Sequence, residues 1–264
     1  MRKIYLVGAG PGDPELLTLR AYKLIKKAEV ILYDRLVGDE ILELAPKDCN
    51  LIDVGKKKGI SCAEQQELIF ELMASYAKRF DNVIRLKGGD PFLLGRGGEE
   101  VLAMTKAGVT SFIVPGISSA ISVPASIGIP VTHRGVSSSF AVFSGHEAEN
   151  IQSTGIDWDV ASKIPTAIFL MGVKPLKVII DQLISHGRNP ETSIAIIQDG
   201  TLKNQSFVSG KLSDIISKSS EIKPPSIIIV GEVVKLLSKV NIGDFNSAEE
   251  LIFNSEILNN LVLN

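Results

Sequence analysis

Short apolar runs alternate with longer amphipathic segments through the first half of this chain. Five of these runs are rich in β-branched residues and bounded by turn residues: KIYLV, VILY, NLIDV, NVIRL and SFIVP. Such runs are typical of buried strands, and the segments between them have the apolar spacing of helices. Strands that alternate with helices form a largely parallel sheet covered on both faces. The alternation therefore predicts an α/β lobe with a mainly parallel sheet.

Two helices of this lobe are marked by their sequence. Residues 14–27 open with a proline, and one face of the predicted helix carries Leu17, Ala21, Leu24, Ile25 and Ala28. Residues 61–80 open with Ser61 and Glu64 at the spacing of a capping box. Along this second helix the apolar residues in register are Leu68, Leu72 and Tyr76.

The pattern changes after Gly116. The later strands are predicted at SFAVFSG, TAIFLMG, SIAIIQDG, QSFVSG and PSIIIVG, with one clear helix at residues 175–185. The third and fourth of these strands predict a hairpin, so the second sheet is expected to be mixed. We therefore predict two α/β lobes, residues 1–116 and 117–242, joined by a helix at residues 118–127. Residues 243–264 predict an appended amphipathic helix, either an oligomer contact or a frayed tail.

Composition limits the partners that this chain can have. The 264 residues carry a formal net charge of -2, which does not favour nucleic acid or an anionic membrane as partner. Cys49 and Cys62 form no C-x-x-C pair, so we expect reduced thiols and no zinc site. No apolar stretch approaches the ~20 residues that span a bilayer. We expect a cytoplasmic protein without a metal.

The turn VGAGPGDPE resembles a dinucleotide fingerprint and departs from it at one position. Gly8 and Gly10 match the first two glycines, and Asp34 ends the second strand where a ribose carboxylate would lie. The third glycine is replaced by Asp13, which precedes a proline and is the natural N-cap. A carboxylate there repels a pyrophosphate, and Pro11 removes a backbone donor. A purely structural turn explains the glycines equally, and an NAD-binding dehydrogenase or nucleotide-binding module is the least favoured alternative.

The stretch RLKGGDPFLLGRGGEE also suggests a ligand site. Gly88 and Gly89 allow a ligand to approach the backbone, and Asp90 at the end of a strand can meet a hydroxyl or an amine. A long structural loop is the alternative. Further along the chain, Ser118 and Ser119 supply hydroxyls at a helix start, where they are either caps or ligand groups.

Cationic side chains occur on several loops of the first half. His133 and Arg134 lie between glycines in GIPVTHRG, where an exposed site and a solvated loop are both open. The remaining cations are Arg35, Lys56, Lys57, Lys58, Arg85, Lys87 and Arg96. A rim of this kind, on loops that follow strands, suits a small polyanionic substrate better than a nucleic acid.

Eight motifs occur together in the order found in one known family: VGAGPGDPELLTLRA, YDRLV, GKKKG, RLKGGDPFLLGRGGEE, VPGIS, GIPVTHRG, FLMG and IIIVGEVV. From Arg2 to about Val240 the chain therefore resembles the tetrapyrrole methylases. The resemblance implies two α/β domains with S-adenosyl-L-methionine folded in the cleft between them, and usually a homodimer. It departs from the family at Ser118-Ser119, usually Thr-Ala, and at Leu170, usually Tyr.

The resemblance also implies a role for individual residues. The cofactor would be lined by Pro11, Gly88, Gly89, Asp90, Leu93, Ser118, Ser119, Met171 and Gly200. Asp34 and Lys56 match the proton acceptor and the proton donor, although Asp34 could also act as an electrostatic stabiliser and Lys56 could pair with a substrate carboxylate. The residues towards the tetrapyrrole would be Phe92, Arg96, His133 and Arg134.

The reaction implied by the resemblance is methylation of uroporphyrinogen III at two ring carbons, giving precorrin-2 and S-adenosyl-L-homocysteine. This is an early step of porphyrin-derived sirohaem and cobalamin biosynthesis. The substrate carries eight carboxylates, which arginines can bind through two hydrogen bonds at once. A later corrin-ring methylase and a diphthine-type protein methylase keep the fold and remain alternatives.

Overall fold

The first lobe is built on a five-stranded parallel sheet. The structure is a computed structural model that describes residues 2–55, 59, 61–149, 155–241 and 243. The strands are β1 (Lys3–Gly8), β2 (Val30–Tyr33), β3 (Asn50–Asp53), β4 (Val83–Lys87) and β5 (Thr110–Val114). Their order is β3-β2-β4-β1-β5, and every neighbouring pair is parallel. This confirms the parallel sheet predicted from the alternating pattern.

Helices cover both faces of this sheet. They are α1 (Leu19–Ile25), α2 (Asp39–Leu42), α3 (Cys62–Ala77) and α4 (Gly97–Lys106). α1 and α2 pack on the face that carries Ile84 and Leu86 of β4. α3 and α4 contribute to the cluster on the opposite face, which contains Val83 and Met104. The burial of alternate residues of β4 on opposite faces matches the period of two in a strand.

The second lobe has a mixed sheet, as the predicted hairpin requires. Its strands are β6 (Phe140–Ser144), β7 (Thr166–Leu170), β8 (Ser193–Gln198), β9 (Ser206–Lys211) and β10 (Ser226–Val230). In the order β6-β7-β10-β8-β9, only β6 and β7 pair in parallel. The helices are α5 (Ser119–Ser126), α6 (Trp158–Lys163), α7 (Leu176–Ser185) and α8 (Ile215–Lys218). 3₁₀ segments span Gly145–Glu149 and Glu232–Lys239.

The predicted helix at residues 14–27 is wrong in its continuity. A 3₁₀ turn at Pro14–Leu16 ends at Leu17, whose backbone is extended, and α1 begins only after Thr18. The side-chain oxygen of Thr18 accepts a hydrogen bond of 3.2 Å from the backbone N of Ala21. This new N-cap starts a second helix, because the capping group satisfies a backbone donor that a continuous helix would have bonded.

The capping box of α3 is confirmed, but the apolar stripe is placed one position away from the predicted one. Ser61 and Glu64 bond to each other's backbone N at 3.2 and 3.0 Å. Leu68 is 37% exposed, whereas the buried apolar stripe consists of Ile69, Met73 and Ala77. Two adjacent stripes were apolar in sequence, and contact with the sheet selected one of them.

The linking helix α5 packs with the second lobe. Ala120 and Val123 belong to the apolar cluster of the mixed sheet, and Leu93 from the loop after β4 packs against that cluster. The two lobes therefore meet through α5 and this loop. The exact lobe boundaries remain a prediction, and the predicted tail helix falls on residues 244–264, which lie outside the described residues. Within the described ranges, no helix has the length and apolar character needed to cross a membrane.

Candidate active site

The carboxyl ends of three adjacent parallel strands bring the predicted site residues to one edge of the first sheet. β4 lies between β2 and β1. Asp34 follows β2, the turn Gly88–Gly89–Asp90 follows β4, and the turn containing Pro11 follows β1. Ligands of open parallel sheets bind outside this edge.

Three glycine turns cross at that edge in backbone contact. The N of Gly89 donates to the O of Gly10 at 2.7 Å, and the N of Gly10 donates to the O of Gly89 at 3.2 Å. A Cβ on Gly116 would lie 2.2 Å from the O of Gly89, and a Cβ on Gly8 would lie 2.5 Å from the N of Gly116. Any side chain at these positions would separate the turns, so the sequence needs glycine for close approach.

Hydrogen bonds to the carboxylate of Asp90 stabilise this crossing. Its Oδ2 accepts a hydrogen bond of 3.0 Å from the N of Gly116, and its Oδ1 accepts one of 2.8 Å from the N of Phe92. The sequence predicted a ligand group at Asp90. In the structure both oxygens bond the chain's own backbone, so Asp90 shapes the turn, and any ligand would share oxygens already in use.

Strained residues mark the facing edge of the second lobe. β7 and β8 are both antiparallel to β10, so they end at the same edge of the mixed sheet. Beyond these ends Met171, Asp199 and Thr201 have φ values of 58°, 49° and 70°. Non-glycine residues in this left-handed region are uncommon and cluster at ligand sites.

The two edges touch near Pro11 and Gly200. The N of Asp13 donates to Oγ1 of Thr201 at 3.3 Å, and a Cβ on Gly12 would lie 2.9 Å from Leu202. A Cβ on Gly200 would lie 2.3 Å from Val123 of α5. The turns that carry Pro11 and Gly200, which are predicted cofactor positions on the two lobes, are therefore in direct contact.

The predicted caps at the two turns are confirmed. Asp13 accepts a hydrogen bond of 2.8 Å from the N of Glu15 and caps the 3₁₀ turn. Ser118 accepts one of 3.2 Å from the N of Ala120 and caps α5. The N of Ser119 lies 3.9 Å from the position of a Cβ on Gly89, beside the crossing. Ser118 and Ser119 thus lie at the site, and the capping role of Ser118 does not exclude a second role.

Part of the predicted cationic rim is wrong, because Arg85 and Lys87 lie inside β4 and are buried. Nη2 of Arg85 donates to Oδ1 of Asp34 at 2.6 Å, and Nε of Arg85 donates to Oε1 of Glu100 at 2.9 Å. Nζ of Lys87 donates to the same Oε1 at 2.9 Å. Burial opposes the charge of Arg85, but Asp34 and Glu100 outweigh it and raise the pKa of Arg85 above its usual value. Two cations and two carboxylates therefore form a cluster beneath the site.

The four residues predicted to face a substrate have exposed side chains, and they do not form one connected group. Phe92 lies on the surface, and Arg96 is paired with both oxygens of Glu99, whose hydrogen bonds raise the pKa of Arg96. His133 and Arg134 lie on an exposed turn, which no hydrogen bond or ion pair joins to Asp34 in the described part of the chain. Lys56, together with Lys57 and Lys58, falls outside the described residues.

Glu100 is the functional candidate that sequence reasoning missed. The signal was the spacing of Arg85 and Lys87, which puts both cations on one face of a strand otherwise apolar. Such a face, if buried, requires a carboxylate partner, and the GGEE segment that follows supplies one.

A cavity elsewhere in the first lobe does not coincide with this site. No group of three or more side chains suited to a metal ion occurs among the residues that the structure describes. A cavity of about 660 Å³ lies between α1 and β5, lined by residues such as Leu19, Phe112 and Ile113, and it contains none of the predicted site residues. The site is defined by its glycine crossing and its carboxylate.

The fold and the site define a two-lobed α/β protein, with one parallel and one mixed sheet, whose glycine turns meet at the edges where the lobes touch. The model of the tetrapyrrole (corrin/porphyrin) methylases matches residues 3–216 of this chain. The chain belongs to this family, and the α/β fold class predicted from its sequence is confirmed.

Relatives agree with this assignment over nearly the whole length. The uroporphyrinogen-III C-methyltransferase of Methanocaldococcus jannaschii is 47% identical over 238 residues, which are 89% of this chain and 98% of that protein. The siroheme synthase of Pseudoalteromonas atlantica is 46% identical over 242 residues, 90% of this chain and 52% of that protein. The structure of uroporphyrin-III C-methyl transferase from Thermus thermophilus, complexed with S-adenyl homocysteine, is 41% identical with a TM-score of 0.76. That match covers 89% of this chain and 99% of the other.

Proposed function

We propose that this protein transfers methyl groups from S-adenosyl-L-methionine to two ring carbons of uroporphyrinogen III, giving precorrin-2. The observation that carries the proposal is the crossing of three glycine turns beside a carboxylate at one sheet edge. Relatives that match 89% of this chain are named uroporphyrinogen-III C-methyltransferase and support the choice of substrate. Precorrin-2 is an early intermediate of sirohaem and cobalamin biosynthesis.

The residues present fit S-adenosyl-L-methionine better than a dinucleotide. Asp13 places a carboxylate where a pyrophosphate would bind, whereas a sulfonium cation has no such conflict. The glycine crossing exposes backbone atoms without a Cβ in the way, which suits a ligand that lies along the backbone. The residues proposed to hold the cofactor are Pro11, Gly88, Gly89, Asp90, Leu93, Ser118, Ser119, Met171 and Gly200.

S-adenosyl-L-methionine, when bound, supplies an activated methyl group, so the protein needs no nucleophile of its own. The task of the chain is alignment, and holding two reactants in line can remove ~7–11 kcal/mol of barrier. The backbone crossing and the contact of Asp13 with Thr201 support this role, because they fix both lobes around one position.

Asp34 is proposed to accept the proton that the ring loses after methylation. Its side chain is 31% exposed and its Oδ1 is bonded by Arg85. Oδ2 accepts no hydrogen bond among the described residues, and Nζ of Lys87 lies 3.6 Å from it. A fixed carboxylate with one free oxygen is suited to a general base. Lys56 is proposed as the proton donor.

Substrate carboxylates are proposed to bind Arg96, His133 and Arg134, with Phe92 against the macrocycle. The exposure of all four side chains supports this role. Arg96 is already turned into a two-oxygen pair with Glu99. A substrate carboxylate would take the place of Glu99 in the same planar geometry.

Cofactor choice tests the proposal. We expect isothermal titration calorimetry to detect binding of S-adenosyl-L-homocysteine and none of NAD at the same concentration. Tight binding of NAD without binding of S-adenosyl-L-homocysteine would overturn the proposal and favour the dehydrogenase alternative.

We also propose that the protein is a cytoplasmic homodimer. The edge strand β5 exposes Phe112 and Ile113 beside Leu19 of α1, and an uncovered apolar edge favours association with a second copy. The free thiols of Cys49 and Cys62 are consistent with a reducing compartment. Light scattering should give twice the 28.4 kDa mass of one chain, and a single-chain mass would contradict the dimer.

A further inference from the structure

Glu100 occupies the centre of the buried charge cluster beneath the site. It lies on α4 with 0% of its surface exposed. Oε1 accepts two hydrogen bonds, from Nε of Arg85 and from Nζ of Lys87, each 2.9 Å long. Oε2 is buried and has no hydrogen-bond partner among the described residues. Oε1 thus accepts a hydrogen bond from both cations, whereas Oε2 accepts none from the part of the chain that the structure describes.

Stability does not explain such a cluster. Charged side chains lose their hydration when buried, and a buried ion pair is often no more stable than well-packed apolar residues. An unsatisfied buried oxygen adds a further cost, and a buried polar group without a hydrogen-bond partner calls for an explanation. The cluster contains Asp34, the proposed general base, so its function is to be sought in the way it holds that carboxylate.

The two oxygens of Asp34 differ in their surroundings. Oδ1 lies 2.6 Å from Nη2 of Arg85, which is a hydrogen bond between charged groups. Oδ2 lies 3.6 Å from Nζ of Lys87, which is too far for a hydrogen bond. Lys87 is close enough to attract Asp34, but its ammonium group bonds Glu100 instead. Glu100 is therefore the group that separates Lys87 from the free oxygen of Asp34.

We propose that Glu100 is a positioning residue that keeps Oδ2 of Asp34 free to accept a proton, by holding Lys87 away from it. This inference rests on the proposed function of Asp34. With Glu100 in place, two cations face two carboxylates, and each cation has a partner. Without that negative charge, Arg85 and Lys87 would both turn to Asp34, and Lys87 would bond the oxygen that the reaction needs.

The test replaces Glu100 with its isosteric neutral analogue. We expect Glu100→Gln to lower kcat about 10-fold or more, because a blocked general base loses a large part of its contribution. KM and the affinity for S-adenosyl-L-homocysteine should stay within about 3-fold, since Glu100 touches neither ligand. The matched control is Glu71→Gln, which removes an exposed carboxylate from α3. It should leave all three quantities unchanged.

A second substitution separates positioning from a purely structural role. In the Glu100→Gln background, Lys87→Met removes the ammonium group that would block Asp34, and we expect it to restore at least half of the lost turnover on a logarithmic scale. A structural role would predict a further loss instead. If Glu100→Gln does not fold, the double variant, which has one cation and one carboxylate, is compared directly with the parent.

Two results would overturn the inference: unchanged kcat in Glu100→Gln, or a folded double variant that turns over as slowly as the single one or as slowly as an Asp34→Asn variant. The parent protein is assayed first with uroporphyrinogen III. An inactive parent would reject the proposed function, whereas an active parent with an indifferent Glu100 would reject this inference alone.

Discussion

Gly116 is the position where a single methyl group should do most damage to the site. A Cβ there would lie 2.2 Å from the O of Gly89 and 2.7 Å from Cα of Gly8, whereas real Cβ atoms essentially never approach closer than 3.0 Å. The turn of Gly89 would have to move by about 0.8 Å. Both contacts are with backbone, so no side chain can rotate away to make room.

The cost of Gly116→Ala follows from this displacement. Forcing a methyl group into a packed region costs about 1–3 kcal/mol. The displaced carbonyl of Gly89 would also lose its hydrogen bond from Gly10, worth about 1 kcal/mol. We therefore expect a loss of about 2–4 kcal/mol in the free energy of unfolding. At about 2 °C per kcal/mol for a chain of this size, Tm should decrease by roughly 4–8 °C. Affinity for S-adenosyl-L-homocysteine should fall as well.

Gly98→Ala is the matched control. A Cβ on Gly98 meets nothing within 4 Å, and Gly98 lies in α4, where alanine is favoured over glycine by up to about 1 kcal/mol. Thermal unfolding followed by circular dichroism, with calorimetric titration of S-adenosyl-L-homocysteine, measures both variants. If Gly116→Ala unfolds at the parent's temperature and binds with the parent's affinity, the backbone crossing is not as tight as the distances indicate.

Two further predictions concern a carboxylate and the thiols. Asp34→Asn should keep its affinity for S-adenosyl-L-homocysteine and lose about 10²–10⁴ in kcat, with Asp81→Asn as an exposed control that changes neither; full turnover in Asp34→Asn would exclude it as the base. Burial and the charge of Asp48 raise the pKa of Cys49 to about 11, so at pH 8 iodoacetamide should label the exposed Cys62 well before Cys49. Equal labelling rates, measured by peptide mass spectrometry, would show that Cys49 is not protected.

Local sequence was sufficient to predict the strands and most caps. β2 is found at the four residues predicted for it, because a run such as VILY is both β-branched and apolar, and little else competes for it. The capping box at Ser61 and Glu64 is equally local. The prediction of one helix at residues 14–27 is wrong because Thr18 is a competent N-cap inside a helical pattern. Sequence spacing alone does not show whether the helix begins after Asp13 or after Thr18.

The parts of the site that were missed depend on contacts distant in sequence. The sequence predicts Arg85 and Lys87 on a loop rim, because the burial of a cation in a strand cannot be predicted until its carboxylate partner is known. That partner, Glu100, comes from α4, and packing of α4 on the sheet brings it to the strand. The sequence marks Gly116 as a lobe boundary, but its contact with Gly8 joins residues that lie more than 100 positions apart in the chain. The motifs therefore predict the candidate site residues, whereas the contacts that position these residues depend on tertiary packing.

An assay of methyl transfer to uroporphyrinogen III tests the proposed function most directly. The protein is incubated without oxygen with uroporphyrinogen III and S-adenosyl-L-methionine labelled in its methyl group, and the product is analysed by mass spectrometry and carbon NMR. We predict two labelled methyl groups per substrate, both bonded to ring carbons, with two equivalents of S-adenosyl-L-homocysteine released. No transfer by a protein that binds S-adenosyl-L-homocysteine would contradict the account and indicate a different substrate within the same family.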